Sequence, residues 1–196
     1  MRARLIHEHD GQRTFALVFQ AGDEAMEGLS AFAREHVVGA AQLTGIGAFS
    51  DVVLGYFDWE AKEYRHIPFA EQVEVVSLVG DVALEGDDPA VHAHVVVGHS
   101  DGRASGGHLL SAHVRPTLEV VLTESPAHLR KRHDPASGLA LIALDDDGGA
   151  SELQGEASLP HVPDDAGVAG GQARRVVEDE ARSPRSSTEE GAGLDT

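Results

Sequence analysis

His92, His94 and His108 carry the strongest chemical signal in the chain, inside the stretch VHAHVVVGHSDGRASGGHLL that runs from Val91 to Leu110. Residues two apart in an extended strand project to the same face, so His92 and His94 present both imidazoles to one side. The Gly, Ser and Asp residues between Gly98 and Gly107 predict a turn. A return in extended form then brings the third imidazole, His108, back beside the first two. Three imidazoles on neighbouring strands with a fourth position open suit zinc or another late divalent ion. The chain has no cysteine, which excludes disulfides and thiolate sites and leaves histidine and carboxylate as the strong ligands.

The other candidates are weaker. Arg103, in the turn between the histidine segments, is placed to hold a small anionic ligand or to sit as a solvated turn charge. Glu119 and Glu74 lie in apolar strand patterns, where an acid is a general base, a buried paired group or an outward-facing sheet residue. His99 and His113 read as loop or surface residues. No serine or lysine arrangement suggests a nucleophile, so no catalytic residue is assigned.

The elements that must position these groups are mostly strands. Arg2 to His9 contains a short alternating piece and Arg13 to Phe19 reads more strongly as β, followed by a turn and N-cap at Gly22 and Asp23. Met26, Leu29, Phe32, Ala33 and Val37 recur at helical spacing and predict one helix ending near Gly39, with His36 as a capping or surface residue. From Ala40 the pattern is β: Ala41 to Ile46, Phe49 to Trp59, Glu63 to Pro68, Gln72 to Leu84 with Gly80 marking a bend, the histidine strand, Pro116 to Thr123, and Gly138 to Leu144. The isoleucine between Gly45 and Gly47 predicts a strand bend or bulge rather than a phosphate loop. The fold class is α+β, a mainly antiparallel sheet with one principal helix packed on it.

Composition bounds the rest. The chain has 196 residues, 41% hydrophobic, enough for one domain with a real core. We divide it into a folded domain, 1–146, and an acidic tail, 147–196, whose lack of aromatic residues predicts disorder. No apolar run reaches membrane-spanning length and no leader pattern follows Met1, so the expectation is a cytoplasmic protein with no membrane partner. The formal charge of −18 opposes a nucleic-acid phosphate backbone unless basic residues gather on one surface. The densest basic spot, Arg130, Lys131 and Arg132, reads as a solvated turn.

Several motifs together resemble the PPC domain, the plant and prokaryote conserved domain also called domain of unknown function 296. They are Gly45-Ile46-Gly47-Ala48, Leu54-Gly55-Tyr56-Phe57-Asp58, Glu74 to Gly80 (EVVSLVG), His92-x-His94, Asp101-Gly102-Arg103, Gly106-Gly107-His108-Leu109, and Val114-Arg115-Pro116-Thr117-x-Glu119. The likeness runs from Arg13 to about Leu144. It implies a mainly antiparallel sheet crossed by one helix, assembly as a homotrimer, and DNA or DNA-binding proteins as partners. The plant members bind DNA through an Arg-Gly-Arg-Pro hook that this sequence lacks, and their partner-contacting strand has Gly-Arg where Glu71 and Gln72 stand here. The prokaryotic pattern keeps all three histidines, which favours metal over ordinary sheet histidines. The reading is a homotrimeric, DNA-associated or regulatory protein with a divalent-metal site, zinc by ligand type. The alternatives are a metal-dependent small-molecule enzyme or sensor and a trimeric scaffold.

Overall fold

Alternation of apolar and polar residues builds most of this molecule, and the computed structural model of the protein describes residues 1–125 and 128–144. In chain order the elements are β1 (Arg2–His9), β2 (Gln12–Gln20), α1 (Ala25–Glu35), β3 (Ala40–Asp58), β4 (Glu63–Phe69), β5 (Val73–Glu85), β6 (Asp88–Gly98), β7 (Ala104–Glu124), β8 (Arg130–His133) and β9 (Ala140–Ala143). Among the described residues all the ladders are antiparallel except β5 with β8, so the sheet is mixed but mainly antiparallel, with a single short helix. The tail predicted to be disordered lies outside the described residues.

Two long strands organise the sheet. β3 pairs with β4, β5 and β7, and β6 pairs with both β5 and β7, so β3, β5, β6 and β7 close on one another. Sequence reading predicts two strands where β3 is one. Gly45 and Gly47 mark a register shift against β5, so the chain bends there without leaving the sheet. The third histidine and the Pro116 to Thr123 pattern likewise fall on one strand, β7.

The helix buries Ala25, Leu29, Phe32 and Ala33, the last three on the stripe its spacing predicts, with Met26 partly buried; it stops at Glu35 rather than near Gly39, so Val37 falls beyond it and is exposed. Burying Leu29 and Phe32 contributes about 1.5–3 kcal/mol each. The cap is Glu24, whose carboxylate accepts from the Glu27 N–H, rather than Asp23. Asp23 is instead occupied by the backbone N–H of Gln20 and the N-terminal ammonium. His36 forms the C-cap, its ring 4.3 Å from that of Phe32. Beneath the helix, Phe15, Phe19, Leu43, Leu54, Leu109, Leu118 and Leu122 fill a continuous core. The buried acid Glu124 is matched by the Arg13 guanidinium, with Nη2 2.6 Å from Oε1, as burial of a charge requires.

Candidate metal centre

The strand β6 alternates Ala93, Val95 and Val97 into the core, which turns His92, His94 and Val96 outward. The β6–β7 ladder sets His108 directly opposite His94, and residues directly opposite share a face. The three rings form a nearly equilateral triangle, with centroids 5.1, 5.1 and 5.3 Å apart. One nitrogen of each lies within 4.8 Å of the others. Ligands held at about 2.1 Å in tetrahedral geometry are about 3.4 Å apart, so small ring rotations bring these donors onto one ion.

The next strand supplies support that the sequence reading did not single out. Asp81 on β5 is the register partner of His92, and its Oδ2 lies 3.3 Å from His92 Nδ1. A carboxylate on one ring nitrogen fixes the tautomer and leaves the other nitrogen free to ligate. The strands approach this closely at Gly80, where a Cβ would lie 2.4 Å from the His92 carbonyl oxygen; the glycine marks close contact rather than the expected bend. From β8, Lys131 brings its ammonium 3.1 Å from Asp81 Oδ1 and is only 7% exposed. The basic run is therefore a strand rather than a solvated turn, and its lysine is spent on a carboxylate. On the other side Tyr64 stacks on His108, with centroids 4.6 Å apart. Gly55 makes room for that ring, since a Cβ there would stand 2.8 Å from it.

Electrostatics favour the neutral, ligating form of two of these imidazoles, His94 and His108. Burial, then the neighbouring His92 and His94 rings and Lys131, push the His108 pKa down to about 4. Burial and His92 lower that of His94. His108 Nδ1 is buried and has no hydrogen-bond partner among the described residues. An orphaned buried nitrogen among three clustered imidazoles, one braced by a carboxylate, fits a divalent ion, and the group can hold one.

The remaining candidates fall elsewhere. Arg103 is exposed and bonds Asp101 in its own turn. Glu119 is exposed on the outward face of β7, opposite Ile46 and Val18, and lines an apolar groove rather than the triad. Glu74 is exposed at the start of β5. His113 pairs with Asp51 at 2.8 Å. His99 lies in the loop after β6, as read, with its side chain covered to 8% exposure. Asp81 was legible as an acid inside an apolar alternating strand, whereas Lys131 and Tyr64 carried no local signal, because both arrive from other strands.

Residues 6–126 match the model of the Plants and Prokaryotes Conserved (PCC) domain. The chain belongs to that family. The PCC fold is shared with solved structures: a plant- and prokaryote-conserved (PPC) protein from Pyrococcus horikoshii is 33% identical, with a TM-score of 0.63 over 67% of this chain and 91% of that one. A metal-containing protein from Archaeoglobus fulgidus is 34% identical, with a TM-score of 0.62 over 66% of this chain and 92% of that one. A protein from Bacteroides thetaiotaomicron, described as a candidate DNA-binding protein, is 27% identical, with a TM-score of 0.64 over 70% and 94%. The chain is also 30% identical, over 129 residues and 64% of its length, to the bifunctional protein GlmU of Synechococcus sp. (strain JA-3-3Ab), and spans only 20% of that protein's length. Among the described residues no helix is long and apolar enough to cross a membrane.

Proposed function

We propose that this PCC-domain protein is a homotrimeric metal-binding protein in which His92, His94 and His108 hold one divalent ion, zinc by ligand type. The observation that carries the reading is the triangle of imidazoles with Asp81 behind His92. A bound ion supplies a Lewis-acidic position open to a small oxygen-anion ligand. The chain's own residues do the rest: Asp81 orients His92, Tyr64 packs His108 in place, and Lys131 balances Asp81. The metal-containing relative from Archaeoglobus fulgidus supports the assignment.

Self-association has its own support. Ile46, Val76, Val79 and Val121 are 63, 59, 49 and 45% exposed on the outward face, around a groove of about 460 Å³. Branched apolar side chains gathered on one face of a sheet favour a partner over water. DNA association is the second reading, supported by the candidate DNA-binding relative. The net charge of −18 weighs against it.

Elemental analysis of the purified full chain beside its His108→Ala variant tests the metal. We expect about one ion per chain in the first and none in the second; equal metal in both removes the site. Light scattering should give three times the chain mass, and a salt-dependent shift of duplex DNA would establish the second reading.

A further inference from the structure

A second polar constellation sits at the turn end of the β6–β7 hairpin and uses none of the three clustered histidines. His99 follows β6, Ser105 is near the start of β7, and Glu71 lies in the connection from β4 to β5. His99 Nε2 is 2.9 Å from Ser105 Oγ, and His99 Nδ1 is 3.0 Å from Glu71 Oε1. An ionised carboxylate only accepts, so the imidazole proton is assigned to Nδ1. Nε2 is then left with its lone pair facing the Ser105 hydroxyl, which donates to it.

The surroundings hold this arrangement still. The His99 side chain is 8% exposed and its ring lies 4.9 Å from that of Phe69, so little water competes for either nitrogen. Ser105 is partly exposed, at the turn end of the hairpin. The turn does not need the side chains to close it: the His99 N–H donates to the Arg103 carbonyl at 2.8 Å, and the Gly102 N–H to the His99 carbonyl at 2.9 Å. Glu71, from another connection, adds nothing to that closure. What it adds is an anion behind the imidazole, in the order nucleophile, base, orienting acid that activates a serine.

We propose that Ser105, His99 and Glu71 form a nucleophile relay that hydrolyses small carboxylic esters. Ser105 Oγ attacks the ester carbonyl carbon as its proton passes to His99 Nε2. The bond to the alkoxide then breaks, and His99 returns that proton to the leaving oxygen, giving an alcohol and an acyl group on Ser105. A water molecule, deprotonated by His99, attacks the acyl carbon and releases the acid, and the proton goes back to Ser105. The sum is ester plus water to acid plus alcohol. Ser105 and His99 touch the reacting atoms, while Glu71 is a positioning residue. The apolar Phe69 beside His99 and the covered ring favour a short, uncharged acyl group.

The test is covalent and independent of the metal. The full chain, with a chelator present, is treated with a fluorophosphonate probe and the modified residue mapped by mass spectrometry. We expect one adduct, on Ser105, absent in Ser105→Ala and formed at least about tenfold more slowly in His99→Gln. Glu71→Gln should slow labelling, and Glu71→Asp should restore part of the rate, which a merely bracing carboxylate would not do. No adduct, an adduct on another residue, or labelling of Ser105 at a rate indifferent to His99→Gln overturns the proposal. Failure here leaves the metal site untouched, since the probe does not report on it.

Discussion

Asp81→Asn is the sharpest perturbation of the metal site, because it keeps the shape of the side chain and removes only its charge. In the native chain Oδ2 stands 3.3 Å from His92 Nδ1, and the same carboxylate pairs with Lys131 through Oδ1 at 3.1 Å. Removing an outer-shell partner of a ligating histidine costs metal affinity about 10- to 100-fold. Asp81 is 28% exposed and divides its charge between two partners, which places the loss towards the lower end, about 10- to 30-fold, or about 1.4–2 kcal/mol. The substitution also leaves the covered Lys131 ammonium without its anion, so some stability is lost with the affinity. Lys131→Met separates the two effects. By itself it withdraws a positive charge from beside the ion and should strengthen binding a few-fold, and in the double variant much of the lost stability should return. Competition for zinc against a chromophoric chelator measures affinity, and thermal unfolding followed by circular dichroism measures stability. Affinity of Asp81→Asn within threefold of the native chain, or weaker binding in Lys131→Met, would refute the role assigned to this pair.

Acid should destabilise the metal-free protein through the histidine triangle. His108 titrates near 4 in the folded chain but near its ordinary value once unfolded, so between about 6.5 and 4 the unfolded state binds more protons and stability falls as pH falls. The contribution is fully present above 6.5 and amounts to about 1–2 kcal/mol after allowing for the solvent that reaches the half-covered ring. A His108→Asn variant should show a flatter stability profile across that window in urea titrations; a profile parallel to the native one contradicts the cause given for the shift. Gly80→Ala should push β6 away from β5, because the new Cβ meets the His92 carbonyl oxygen at 2.4 Å. We expect about 1–3 kcal/mol of lost stability together with weaker zinc binding, and unchanged affinity would show that the close approach does not position the site. Val121→Asp, on the outward apolar face, should lower the mass seen by light scattering without unfolding the chain, and a variant of unaltered mass would move the interface elsewhere.

How much of this could be read before folding depends on the range of each interaction. The two-residue period put His92 and His94 on one face, glycines flagged the irregularity in β3, and the spacing of Leu29, Phe32 and Ala33 located the helix, because each is a local rule of backbone geometry. The return of His108 was also legible, since a short turn leaves few registers open to a hairpin. Arg103 looked like an anion holder from its place in that turn, but the nearer Asp101 in the same turn answers its charge.

What the chain by itself determined, then, is most of the strands, the helix that follows Glu24 and the face shared by the first two histidines. Only the tertiary structure decided that Asp81 stands behind His92, that Lys131 comes in on a parallel strand to meet it, that Tyr64 covers His108, and that Glu71, His99 and Ser105 fall into line. Those contacts join separate segments, and their geometry follows from ladder registers that the buried faces of the whole sheet select together. No window of sequence contains that selection.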